Sequence, residues 1–193
     1  LNSPQAKLLK HQISEESVTL LANEKKSIPI QLIENKKFVS LSIGSEEKNE
    51  FTRYLSKYAL FEHISIRLPQ DTAKIKTKLV AADVIVVGIF PYSSSIIKEV
   101  SSFIQSLPKH QEVIICHFGN PAELIHLKGA PTLMTGYTDQ HEVPKMTAQI
   151  IFGAIPAKGE LPFMVADFTE GHGIISETTG RLSYSLPEAV GMD

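Results

Sequence analysis

Cysteine is nearly missing from this chain: Cys116 is the only one in 193 residues. A single cysteine excludes an intrachain disulfide and a cysteine-built metal cluster. Cys116 lies in the run Val113-Ile114-Ile115-Cys116. There a small buried apolar side chain is expected rather than an exposed, electropositive thiolate. Charge of one sign is also scarce. A net charge of −2 leaves no basic field for nucleic acid or anionic lipid. No apolar run approaches the roughly 20 residues that a membrane-spanning helix needs. The phosphate loops GxGxxG and GxxxxGKS/T do not occur, which argues against nucleotide binding. The histidines His11, His63, His110, His117, His126, His141 and His172 contain no HxH or HxxxH pair. The sequence therefore groups no zinc ligands, and neither a metal nor a cofactor is expected. Internal repeats and low-complexity tracts are absent too.

What is present is an ordinary globular composition, 42% hydrophobic and 21% charged. The length suits one domain with tails. A chain near 150 residues already hides about two-thirds of its unfolded surface, so a real core is expected. The first residue is Leu1 rather than Met, which reads as a piece of a longer polypeptide. Leu9, Ile13 and Leu20 keep helical spacing, predicting a helix that the polar stretch 23–27 ends. Ile28-Pro29-Ile30 reads as a short extended step. Strands are predicted at 38–43, around Ile64-Ser65-Ile66, and at 84–90, 113–118 and 131–137. Helices are predicted at 46–58, from a cap at Asp71 through Ala82, from Ser93 to a stop at Pro108, from Asn120-Pro121 to Leu127, and at 143–152. The central strands are unbroken apolar runs, which implies burial on both faces and a parallel sheet. The fold class is therefore α/β: an open, mostly parallel sheet of about five or six strands between helices, in three layers. The domain is expected over 1–170. Residues 171–193, which lose periodicity, are expected to be a linker or tail leading to a following domain.

In open parallel sheets, ligands sit beyond the carboxyl ends of the strands. Here those ends carry Gly44-Ser45-Glu46, Pro91-Tyr92-Ser93-Ser94, Gly119-Asn120-Pro121 and Gly136-Tyr137-Thr138-Asp139. Ser93-Ser94-Ser95 lacks the Gly-x-Ser-x-Gly frame of a nucleophile elbow and suits helix capping better. His117, at a strand end, reads as a structural histidine or as a base. Asp139 and Glu142 stand three residues apart. They read as a cap and a first-turn acid for the next helix, or as paired glycosidic carboxylates.

Several segments together resemble glycoside hydrolase family 3. Ser14-Glu15-Glu16-Ser17-Val18-Thr19-Leu20-Leu21-Ala22-Asn23 followed by Ile28-Pro29-Ile30 is similar to the family's entry into its second domain. Val84 to Gly88 is similar to a core strand, and Phe118-Gly119-Asn120-Pro121 to a turn after one. Gly136-Tyr137 stands where the family usually has Ala-Tyr. Ala148-Gln149, Ile151-Phe152-Gly153 and Gly159-Glu160-Leu161-Pro162 resemble its closing signature. These motifs keep the family's order over about 150 residues. The resemblance implies the C-terminal α/β sandwich domain of a β-glycosidase, more particularly of a β-N-acetylglucosaminidase.

On that resemblance the nucleophilic Asp belongs to an N-terminal (β/α)8 barrel, outside this chain. The family's β-glucosidases can draw their acid/base Glu from the second domain. Its N-acetylglucosaminidases use a His–Asp pair on a barrel loop instead. No Glu here matches the first pattern, which favours the second. Arg181-Leu182-Ser183-Tyr184 with Leu186-Pro187-Glu188-Ala189-Val190-Gly191-Met192-Asp193 resembles the entry to a β-lactamase-like serine hydrolase domain. The implied substrate is carbohydrate, such as cell-wall material, reached through the parent enzyme. The implied location is a bacterial periplasm or cell envelope, with cytoplasm as the alternative. The expected role is an accessory, non-catalytic domain whose Tyr92, Asn120, Tyr137 and Asp139 face the barrel or substrate. The alternatives are donation of Asp139 or Glu142 as acid/base, and an independent flavodoxin-like small-ligand binder.

Overall fold

A computed structural model describes residues 3–66, 72–91, 97–107, 111–140 and 142–187. Six strands form one sheet: β1 (Thr19–Asn23), β2 (Phe38–Ile43), β3 (Phe61–Ile66), β4 (Val84–Ile89), β5 (Glu112–His117) and β6 (Thr132–Thr135). Their spatial order is β1-β6-β5-β4-β2-β3, parallel except for β1, which runs antiparallel to β6. Five α-helices are described: α1 (Pro4–Ser17), α2 (Glu50–Leu55), α3 (Thr72–Val80), α4 (Ile97–Gln105) and α5 (Glu142–Ile151). The α/β three-layer class expected from the unbroken apolar runs is the class observed.

Alternate side chains of each strand feed two cores, because successive Cβ atoms point to opposite faces. Val84 and Val86 of β4 join Phe51 and Leu55 of α2 and Met146 and Ile150 of α5. Ile85 and Val87 join Leu79 of α3, Val100 and Phe103 of α4, and Leu124 and Leu127. Cys116 is fully buried in the first core, and burial pushes its thiol up out of the reactive range.

The sequence reading placed Leu20 and Leu21 at the end of a helix, but α1 stops at Ser17 and both lie in β1. The physical reason is their burial. Leu20 packs into the first core and Leu21 into the second, an alternation of period two that only a strand provides. The helix predicted over 46–58 is reduced to α2. Asn49 captures its start: the side chain accepts from the Thr52 amide at 3.0 Å while Thr52 Oγ1 accepts from the Asn49 amide at 3.0 Å. This reciprocal box ends the loop that leaves β2. The turn opened by Asn120-Pro121 is a 3-10 helix, Pro121–Leu127, capped by Asn120. Asp71, Ser93-Ser94-Ser95, Pro108 and Glu188 to Asp193 lie outside the described residues.

After the last strand, Gly153 ends α5 with φ +67, a conformation that favours glycine. The chain then returns to the outer side of β1. Gly159 N–H donates to Val18 O at 3.3 Å, Ile174 N–H to Leu20 O at 2.8 Å, and His172 Nε2 lies 2.8 Å from Leu21 O. Residues 171–187 lack periodicity, yet they lie as a strap along the body. Arg181 donates to the carbonyls of Ile30 at 2.5 Å and of Phe152 and Gln31 at 2.7 Å. Tyr184 N–H donates to Gln149 Oε1 at 2.6 Å. No described helix is long and apolar enough to cross a membrane.

Candidate functional site

The strand order reverses between β2 and β4, so the carboxyl ends of the parallel strands define the crevice where such folds place ligands. At the end of β2, Asn49 Nδ2 donates to Ser42 Oγ at 3.1 Å and to Glu46 O at 2.7 Å, closing the loop on itself. At the end of β5, the His117 side chain is fully enclosed, with Nε2 2.9 Å from Glu123 Oε2. Burial pushes the imidazole below its ordinary pKa, and Glu123 opposes the shift without reversing it. His117 is thus a neutral, satisfied structural histidine. Asn120 serves the next turn, with Oδ1 accepting from the Ala122 amide at 3.0 Å.

At the end of β6, Gly136 is packed so tightly that a Cβ there would collide with Val143 Cγ1. That is the physical reason for glycine before Tyr137. Tyr137 takes φ +62, and its hydroxyl lies 3.0 Å from Thr19 Oγ1. This bond ties the β6 turn to β1. Burial pushes the phenol up. Asp139 is exposed and has no hydrogen-bond or ion-pair partner among the described residues. Tyr92 lies outside the described residues.

Glu142 turns away from Asp139. Its Oε1 is 2.7 Å from Lys145 Nζ, and its Oε2 is 3.2 Å from His11 Nδ1. His11 is 5% exposed, and its Nε2 lies 3.2 Å from Ser185 Oγ. Burial pushes the Glu142 carboxyl up, but Lys145 and His11 outweigh that and hold it below the usual carboxylate range. The cluster joins α1, α5 and the strap. Chemically it holds a carboxylate ionised, whereas a glycosidic general acid needs its proton retained.

The sequence reading brought together Tyr137 and Asp139, and the structure keeps them on one turn. It did not find His11, Lys145, Ser185 or Thr19. Lys145, three residues after Glu142 on one helix, was the only legible signal. His11 and Ser185 stand 131 and 43 positions away from Glu142 in sequence.

One cleft borders these loops and a second lies apart from them. One of about 430 Å3 runs between α1 and the β6–α5 turn, past Leu9, Ile13, Tyr137, Thr138, Gln140 and Val143. Leu9 and Ile13 are each 57% exposed there. The other, about 590 Å3, lies between α4 and the 3-10 helix, away from the strand ends, with Gln111 and His126 on its wall. Among the described residues, no group of three or more His, Cys, Asp or Glu is placed to hold a metal.

Comparison with protein-family models and with curated proteins gives no match. Solved structures do match. A fungal multi-domain family 3 β-N-acetylglucosaminidase is similar at TM-score 0.73 and 20% identity, over 87% of this chain and 20% of that one. A family 3 β-N-acetylglucosaminidase from a Paenibacillus species is similar at TM-score 0.62 and 19% identity, over 82% of this chain and 32% of that one. A β-glucosidase from Listeria innocua is similar at TM-score 0.64 and 15% identity, over 83% and 27%. This chain therefore spans about a fifth to a third of the length of these structures. At such identities the likeness shows the fold: the α/β sandwich here is one that these glycosidases contain.

Proposed function

We propose that this chain is the C-terminal sandwich domain of a family 3 glycoside hydrolase, accompanying a catalytic (β/α)8 barrel of the same polypeptide. The observation that carries the reading is the fold match at TM-score 0.73 over 87% of the chain. The ordered motifs from Ser14 to Pro162 support it.

On this reading the domain is accessory. Glu142 is spent on Lys145 and His11, and Asp139 is exposed with no hydrogen-bond or ion-pair partner among the described residues. Neither is arranged as a general acid, so acid/base work falls to the barrel, as in the β-N-acetylglucosaminidase branch. The exposed apolar pair Leu9 and Ile13, beside Tyr137 and Asp139, is the contact surface for the barrel, with Asn120 on a neighbouring loop. The substrate class is a β-linked amino-sugar glycan such as cell-wall material, in the periplasm or envelope. A serine hydrolase domain beyond the strap fits the same setting.

The test is to produce the part of the reading frame upstream of Leu1 as a separate protein and titrate it with this chain. A (β/α)8 protein that binds this chain is expected, with turnover of a chromogenic β-N-acetylglucosaminide by the complex and none by this chain alone. An upstream part without a barrel, or turnover by this chain alone, would contradict the reading.

A further inference from the structure

Glu142, Lys145 and Gln149 stand three and four residues apart on α5, the spacing that stacks side chains on one face of a helix. α1 packs against α5 and brings His11 to that face. The strap crosses the same place and is clamped by Gln149. Tyr184 N–H donates to Gln149 Oε1 at 2.6 Å, and Gln149 Nε2 donates to Tyr184 O at 3.3 Å. Gln149 is 1% exposed, so the clamp fixes the main chain immediately before Ser185. Ser185 itself is exposed. Its Oγ lies 3.2 Å from His11 Nε2, and His11 Nδ1 lies 3.2 Å from Glu142 Oε2. Carboxylate, imidazole and hydroxyl thus follow in the order that activates a serine nucleophile, within hydrogen-bond reach at both steps.

The proton positions follow from the partners. An ionised carboxylate only accepts, so the neutral imidazole carries its proton on Nδ1 and turns the Nε2 lone pair to Ser185 Oγ. Lys145 holds the other carboxylate oxygen, Oε1, at 2.7 Å, which leaves Oε2 to His11. We propose that Ser185, His11 and Glu142 form an acyl-transfer site that hydrolyses short-chain carboxylic esters. The inference is independent of the glycosidase reading. In the first half of the reaction His11 Nε2 takes the hydroxyl proton as Ser185 Oγ bonds to the ester carbonyl carbon. The bond from that carbon to the alcohol oxygen then breaks, and the alcohol leaves with the proton. In the second half a water gives a proton to Nε2 as its oxygen bonds to the acyl carbon. The Ser185 ester bond breaks, Oγ recovers the proton and a carboxylic acid is released. Glu142 is a positioning residue: it fixes the tautomer and faces the imidazolium formed in each half. The amides of Ser185 and Leu186 donate to no described residue, and a tetrahedral oxyanion calls for such donors beside the nucleophile. Ser185 lines neither of the clefts described above, so the site suits a short acyl group approached from solvent.

A fluorophosphonate, which bonds to an activated serine hydroxyl with loss of fluoride, is the first probe. Peptide mass mapping of the unaltered chain should find the adduct on Ser185, and p-nitrophenyl acetate should be hydrolysed. Ser185→Ala should abolish both. His11→Gln should slow both at least about 10²-fold, the lower end of what a general base contributes. Glu142→Gln should lower the maximal rate of modification at least about tenfold and leave the half-saturating probe concentration unchanged, because the imidazole loses its preferred tautomer and not its place. Glu142→Asp should recover part of that rate. No adduct on Ser185, an adduct on Tyr184 or another residue in its stead, or a folded His11→Gln protein modified as fast as the parent would overturn the proposal. If His11→Gln loses its fold by circular dichroism, the position of the adduct on the unaltered chain decides alone.

Discussion

At β1 the chain covers its sheet edge three ways: an antiparallel strand, a register shift between Leu20 and Ala22, and outer hydrogen bonds from Gly159, His172 and Ile174. At β3 the edge is six residues in unbroken register with no described backbone partner outside them. The difference teaches where this fold depends on irregular chain. The β1 side is finished by residues 153–186, which carry no strand or helix of their own beyond one isolated bridge. The β3 side, among the described residues, ends in a regular strand. One edge is covered by irregular chain; the other has no backbone partner beyond β2 among the described residues.

The largest effect should come from the anchor of the strap. Arg181→Ala removes the side-chain donor from the carbonyls of Ile30 and Gln31 and one of the two from Phe152, which keeps Thr179 Oγ1 at 2.9 Å, and should cost about 2–3 kcal/mol in urea unfolding. Exchange at β1 should rise while β3 amides hold. A change near zero would mean that the strap adds nothing to the covered side. Next, Gly136→Ala should cost about 1–3 kcal/mol through its collision with Val143. Val143→Ala in the same chain should recover part of that loss. If Gly136→Ala is neutral, the β6 turn beside β1 is looser than its contacts imply.

The β3 side gives a pH signature. Burial lowers the folded pKa of His63, so the unfolded chain binds the proton better. The stability contribution is full above about pH 6.5, the unfolded value, and is lost as pH falls below it. His117, lowered by its own burial, adds to the same loss. Urea midpoints at pH 7.5 and 5.5 should therefore differ less in His63→Asn than in the parent. An unchanged pH slope would contradict the assignment. The smallest effect belongs to the exposed Glu62–Lys78 pair, where Glu62→Gln should change stability by less than about 1 kcal/mol.

The layers and the parallel strands were legible because unbroken apolar runs such as Val84 to Ile89 leave no other placement. Leu20 and Leu21 were misread because helical spacing from Leu9 and Ile13 extends to Leu20 by coincidence. Burial on two faces, a tertiary property, decides their state. The strap was illegible for a related reason. Its order comes from Arg181 and Tyr184 reaching carbonyls and amides on distant segments, and no local pattern records such bonds. At the candidate site, the turn carrying Tyr137 and Asp139 followed from its place after a strand. The engagement of Glu142 did not, since His11 comes from the other end of the chain.

The most direct test of the proposed accessory role is the turnover number of the full-length polypeptide, with Asp139→Asn and Glu142→Gln made singly and together. The account predicts kcat within about twofold of the parent for all three, because general acid catalysis typically contributes about 10²–10⁴-fold and the proposed role assigns it to neither carboxylate. A loss of that size in a variant that remains folded would place the acid on this domain and contradict the account.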